Sequence, residues 1–137
     1  MRALIDTSSL FKKYVEERGS NALGDLLNDI AEIAVSPVTW IEMNAVVARR
    51  LREKSLTSHQ AAWLQSQAQQ DFLSFYRVIW NDALEQTATD FVYRYSLSTL
   101  DAIQLASGVL AKADVFVTSD RGLFEQARRE MRKALYI

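Results

Sequence analysis

The sequence predicts an α/β protein, a three-layer α/β/α sandwich built on a short-stranded parallel sheet. Three observations lead there. Short apolar runs of β type each end at a polar residue, and each hands over to a longer segment of helical periodicity. The runs are also apolar on consecutive residues, so they have no polar face and need cover on both sides. Ala3 to Ile5 is the first run and leads into a helical segment from Ser8 to Val15. Ile33 to Val35 stops at Ser36-Pro37 and leads into Ile41, Ala45, Ala48 and Leu51 at helical spacing. Tyr76 to Trp80 precedes a helix from Asp82 to about Tyr95, and Val115 to Val117 precedes one from Leu123 to about Lys133. Ser20 to Asn28, Thr57 to Phe75 and Ser98 to Lys112 read as further helices, with Ala134 to Ile137 as a short closing strand.

Composition sets the outer bounds. At 137 residues the chain has the size of one ordinary domain, and such a chain buries roughly two-thirds of its unfolded surface. Apolar types at 49%, with one Pro and four Gly, exclude a disordered or fibrous chain. No repeat or linker divides it, so residues 1–137 are expected to form a single domain. The 16 basic and 17 acidic residues leave a charge of -1, so any basic surface is local. The absence of cysteine excludes disulfides, thiolate metal sites and a cysteine nucleophile. Asp6 interrupts the first apolar stretch after Ala3, Leu4 and Ile5, far short of a signal core or membrane span. The expected address is cytoplasmic. The Gln-rich stretch Gln65 to Gln70 reads as a solvated face of its helix, with Ala61, Leu64, Ala68 and Phe75 on the other side; Trp63 and Phe72 at the edge suit either the core or a contact surface, and the core is favoured.

Several catalytic schemes lack their residues. His59 is the single histidine and stands among polar neighbours, which argues against a zinc site or a histidine-based hydrolase. The glycines at 19, 24, 108 and 122 fit neither nucleotide-binding fingerprint. What remains is the placement of acids. In an open parallel sheet, ligands sit beyond the carboxyl ends of the strands. Asp6 terminates the first apolar run, and Asp120 follows Val115 to Val117 by way of Thr118 and Ser119. Glu42 and Asp101 fall near helix N-termini. Each acid also has a plain structural reading: Thr39 to Glu42 and Ser98 to Asp101 carry capping-box spacing, and Asp6 and Asp120 suit N-caps. Against four solvated caps stand the apolar neighbours Ile5, Trp40, Ile41, Leu100, Ala102 and Val117, in segments expected to be buried. Clustered carboxylates resist ionisation unless a cation compensates them. All-oxygen ligation selects a hard ion, Mg²⁺ or Mn²⁺, and describes a phosphoryl-transfer centre.

The order Asp6-Thr7-Ser8, Glu42, Leu100-Asp101-Ala102-Ile103-Gln104-Leu105-Ala106 and Val117-Thr118-Ser119-Asp120 resembles the PIN-domain ribonucleases, and among them the VapC toxins. The likeness runs from Met1 to about Lys133, with 19 residues from Asp101 to Asp120. It implies a metal-dependent endoribonuclease in which Asp6, Glu42, Asp101 and Asp120 are catalytic and hold Mg²⁺ or Mn²⁺. Ser8 and Thr118 match hydroxyl positions that support the metal shell; helix capping is their alternative. The chain departs from many relatives at Gly122, where a further acid often stands. The resemblance also implies a cognate antitoxin and a homodimer, with no membrane.

An RNA substrate needs cations. Arg49, Arg50, Arg52 and Lys54 form one cluster, and Arg128, Arg129, Arg132 and Lys133 another. Favourable placement at helix C-termini explains either cluster equally well. Lys12, Lys13 and Arg121 lie nearer the proposed site, and with Arg49 and Arg50 they are the candidate RNA contacts. Two other functions compete. A haloacid-dehalogenase-type phosphohydrolase also opens on a strand-end Asp, but needs a second Asp where this chain has Ser8. A PIN-like binding module would keep the fold without the activity.

Overall fold

Arg2–Ile5 forms β1, the central strand of the sheet. The computed structural model describes all residues, 1–137. After β1 come α1 (Thr7–Leu10), a single 3₁₀ turn (Phe11–Lys13), α2 (Ser20–Leu27) and β2 (Glu32–Val35). Two long helices follow, α3 (Thr39–Arg52) and α4 (Ser58–Phe72), then β3 (Tyr76–Arg77). The second half holds α5 (Asp82–Tyr95), α6 (Thr99–Leu110), β4 (Val115–Thr118), α7 (Arg121–Glu130) and β5 (Ala134–Tyr136). The five strands lie in the order β3-β2-β1-β4-β5, and every pair is parallel. This is the expected short-stranded parallel sheet.

Alternation along the strands splits the core into two halves. Ala3 and Ile5 of β1, with Val115 and Val117 of β4, face a cluster that takes in Leu10, Leu23, Met43, Val47, Leu64 and Phe72. Leu4 and Phe116 face the opposite way, toward α5, α6 and α7. Both faces of the sheet are therefore covered, which is why these strands carry no polar residue in mid-run. Helix α6 packs tightly on the sheet at Gly108, where a Cβ would stand 2.9 Å from the Phe116 ring. A run of seven residues from Ala102 to Gly108 is buried on every side of that helix.

Three local expectations change. β3 stops at Arg77 rather than Trp80. Its partner β2 ends at Val35, where the chain turns through Pro37, so only the Val78 amide finds a further acceptor, the Val35 carbonyl. Ile79 and Trp80 are exposed. The Ser8 to Val15 segment divides into α1 and the 3₁₀ turn. Trp63, expected in the core, is 52% exposed, whereas Phe72 is buried against Trp40 and Phe75. Trp63 stands two residues from Ala61 and one from Leu64, which places it off the narrow buried stripe of α4. No helix is long and apolar enough to cross a membrane.

Candidate active site

From β1 the chain builds outward to β2 on one side and, later, to β4 on the other, so the strand order reverses between β1 and β4. Beyond the carboxyl ends of two such strands the loops diverge and leave a crevice. Asp6 lies at that point. It is 4% exposed and caps α1, its Oδ1 accepting from the Ser9 amide at 3.0 Å and the Ser8 hydroxyl at 2.8 Å. Thr118, the last residue of β4, donates its hydroxyl to Asp6 Oδ2 at 2.5 Å and accepts the Asp120 amide at 3.0 Å. The ends of β1 and β4 are thereby tied through side chains as well as the sheet ladder. Burial pushes the Asp6 carboxyl up to about 6; the three donors work against that rise, and the charge of Asp101 adds to it.

Glu42 enters from α3. The Thr7 hydroxyl donates to its Oε1 at 2.9 Å and the Gln104 amide at 2.7 Å. Asp101 is half-buried on the first turn of α6. Burial raises its carboxyl above the usual range, Asp120 and then Glu42 add to the rise, and Ser98 lowers it. Asp101 is thus electrostatically coupled to each of the other acids, and no basic side chain holds either Asp6 or Asp101 down. Asp120 is exposed and caps α7, accepting from the Leu123 amide at 2.8 Å.

The capping alternatives divide. Asp6 and Asp120 are genuine N-caps that also lie just past the carboxyl ends of β1 and β4, so capping does not remove either from the candidate site. Glu42 is not a capping-box acid: α3 has Val38 at its N-cap, with no side-chain cap, and the Glu42 carboxylate turns to Thr7 and Gln104. At α6 the Ser98 hydroxyl accepts from the Asp101 amide at 3.3 Å, but the reciprocal bond that completes the box in α4, between Thr57 and Gln60, is not made here. Ser8 and Thr118 both donate their hydroxyls to Asp6. The apolar surround is thinner than expected, since Ile41 and Leu100 are exposed at the rim. The candidate site lies open at the carboxyl ends of the strands.

As the side chains stand, no three of these acids form a metal-ligand group. The donor chemistry nevertheless fits a hard divalent cation: the carboxylates carry repulsion without compensation, and two of them are already oriented by hydroxyl and amide donors.

Of the candidate RNA contacts, Lys12, Arg49 and Arg50 line a groove of about 500 Å³ that also reaches Glu42 and Leu100. Arg50 pairs with Glu17 at 3.0 Å and lies over the Phe11 ring. Lys13 turns instead to Asp71 at 2.6 Å, and Arg121 stacks on Tyr136. Thr7, Ser119 and Gln104 stand within the sequence motifs and Thr39 in a capping-box spacing, but the reading of those motifs assigns none of the four a role at the site. Ser119 bonds the Ser9 hydroxyl, and its amide donates to Ser8. Gln104 carried a usable signal, a lone carboxamide within an otherwise apolar helical stretch and one turn beyond Asp101.

Fold and site together define a protein that gathers carboxylates at the switch point of a parallel α/β/α sheet. The PIN domain family model matches residues 3–130, and the chain belongs to that family. Among solved structures it is similar to a toxin–antitoxin complex from Klebsiella pneumoniae, at 21% identity over 86% of this chain and 86% of that chain, with a TM-score of 0.63. VapBC2 from Rickettsia felis, bound to a DNA fragment from its promoter, matches at 12% identity over 98% and 99% of the two chains, with a TM-score of 0.70. Mycobacterium tuberculosis VapC20, a sarcin–ricin loop cleaving toxin, matches at 14% identity over 95% and 97%, with a TM-score of 0.69. At these identities the likeness is one of fold. Among curated proteins none matches in sequence.

Proposed function

We propose that the chain, acting as one PIN unit over residues 1–137, is a metal-dependent endoribonuclease that hydrolyses RNA phosphodiester bonds and serves as the toxin of a type II toxin–antitoxin pair. The observation that carries this reading is the uncompensated acid edge: Asp6 and Asp101 both raised by burial, with Asp101 further raised by Asp120 and Glu42. Asp6, Glu42, Asp101 and Asp120 would hold Mg²⁺ or Mn²⁺, which when bound neutralises phosphate charge and acidifies an attacking water. The protein's own part is positioning. Ser8, Ser9 and Thr118 orient Asp6, and Thr7 and Gln104 orient Glu42. Lys12, Arg49 and Arg50 provide cations along the groove for a phosphate backbone. The exposed rim leaves room for a polynucleotide, and Ser8 standing where the dehalogenase type needs a second Asp argues against that alternative.

The toxin–antitoxin complexes among its structural neighbours support a cognate antitoxin partner, and the VapC resemblance adds a homodimer and a cytoplasmic setting. The test is incubation of purified protein with RNA in Mn²⁺ or Mg²⁺, followed by sequencing of new 5′ ends. Defined cleavage that EDTA abolishes is the expected result; intact RNA across millimolar metal overturns it. A second reading, a PIN module that binds without cleaving, draws on the acids not converging as a ligand group. Calorimetric titration with Mn²⁺ separates the two, since the module predicts no binding.

A further inference from the structure

Gln104 is 2% exposed in the middle of a helix turn that is otherwise nearly all apolar. Its Nε2 donates to Glu42 Oε1 at 2.7 Å and to Thr7 Oγ1 at 3.1 Å, with Thr39 Oγ1 farther off at 3.4 Å. Thr7 in turn donates to the same Glu42 oxygen at 2.9 Å. The three side chains close a triangle in which both donors fall on Oε1, and Oε2 makes no protein hydrogen bond. The other end of the carboxamide is unusual. Gln104 Oε1 is buried and has no partner. Turning the amide over would set that oxygen against the Glu42 carboxylate, acceptor to acceptor, so the neighbours dictate the orientation observed. A buried carbonyl without a donor is a standing penalty, and an apolar residue of similar shape would avoid it. What glutamine gains here against that penalty is the amide's hold on Glu42 and its neighbour Thr7.

The geometry points to Gln104 as a positioning residue for the Glu42 carboxylate: it fixes Oε1 from the protein side and leaves Oε2 as the oxygen presented to a cation. This rests on the nuclease reading above. A carboxylate that swings freely must be ordered when the ion binds, whereas one already held presents its free oxygen at no such cost. Thr7, from α1, and Gln104, from α6, bring opposite layers of the sandwich onto one carboxylate of α3.

The experiment is Gln104→Met, close in shape and without the amide, compared with the parent by Mn²⁺ calorimetry, by the Mn²⁺ dependence of RNA cleavage and by melting in EDTA. The metal-free melting temperature should stay close to the parent's, relief of the unpartnered carbonyl offsetting the lost amide bonds. Mn²⁺ affinity should fall about tenfold or more, and cleavage should recover toward the parental rate at saturating Mn²⁺, a change in metal requirement rather than in turnover. If the methionine variant does not fold, Gln104→Asn, which retracts the amide by one methylene, should show the same loss. A folded variant that binds Mn²⁺ as tightly as the parent overturns the role of Gln104 and leaves the nuclease reading standing. A parent that neither binds Mn²⁺ nor cleaves RNA overturns the nuclease reading and this inference with it.

Discussion

Asp6 shows how one side chain serves two ends. Its Oδ1 caps α1, and its burial at the end of β1 resists ionisation. The rise from 3.8 to about 6 corresponds to a burden on the ionised form on the order of 3 kcal/mol. Because the folded-state value lies above the unfolded one, the native state holds the extra proton between about pH 4 and 6. Stability from this group is full below the lower value and is lost as pH rises through the upper one. In EDTA, the parent should therefore lose melting temperature relative to Asp6→Asn across that window and run parallel to it above pH 7. Parallel curves throughout would remove the buried-carboxylate account. Asn remains a good N-cap, so the variant should fold. Asp101→Asn separates two roles in a different way. The Ser98 hydroxyl bonds the backbone amide of residue 101, which the substitution leaves in place, so helix stability should hold. Relief of repulsion from Asp120 and Glu42 should keep the metal-free melting temperature level or raise it, while cleavage falls by at least about a hundredfold. A variant that melts lower yet cleaves at the parental rate would contradict the assignment.

At the scale of elements, α6 is the one whose packing the site depends on most. It is buried along seven consecutive residues, and it carries Asp101 and Gln104 on its first turns. Gly108 lets it settle onto β4. Alanine there would gain about 0.5–1 kcal/mol of helix propensity but drive a Cβ against the fully buried Phe116 ring, an overpacking cost of about 1–3 kcal/mol. Gly108→Ala should thus lower the denaturant midpoint; an unchanged or higher midpoint would show that the Phe116 ring yields. The last turn of α3 bears Arg49 and Arg50 beside the groove. Arg50 is partly engaged by Glu17, whereas Arg49 has only a 4.0 Å approach to exposed Glu53. Arg49→Ala should weaken RNA binding and reduce the slope of log affinity against log salt by about 0.7. Filter-binding at several salt concentrations reads this directly, and an unchanged slope would place the RNA elsewhere.

For the molecule as a whole, the acid edge joins parts of the chain that local forces do not bring together. Asp6 follows β1, Glu42 is on α3, Asp101 on α6, and Asp120 at the head of α7. A cation held among them would act as a cross-link present only in the native state. Mn²⁺ at a hundred times its dissociation constant should add about 2.7 kcal/mol, visible as a rise in melting temperature that EDTA reverses. An unchanged melting temperature across millimolar Mn²⁺, with the chain folded, would count against a shared site.

The layer order was legible in the sequence alone, and so were the positions of the four candidate acids. Consecutive apolar residues at Ala3–Ile5 and Val115–Val117 allow only a sheet covered on both faces, and an acid just past such a run is aimed at the ligand edge whatever the strand order. The absence of cysteine likewise excludes thiolate chemistry from the sequence alone. Tertiary structure alone decided how those acids are held. The Gln104–Glu42 bond spans 62 residues and the Thr118–Asp6 bond spans 112, so neither leaves a trace in local periodicity. Only the reversal of strand order between β1 and β4 brings Thr118 to Asp6. Exposure was likewise decided late: Ile41, Leu100 and Trp63 are as apolar as their buried neighbours, and only the packing of one helix on another determines which side of each faces water.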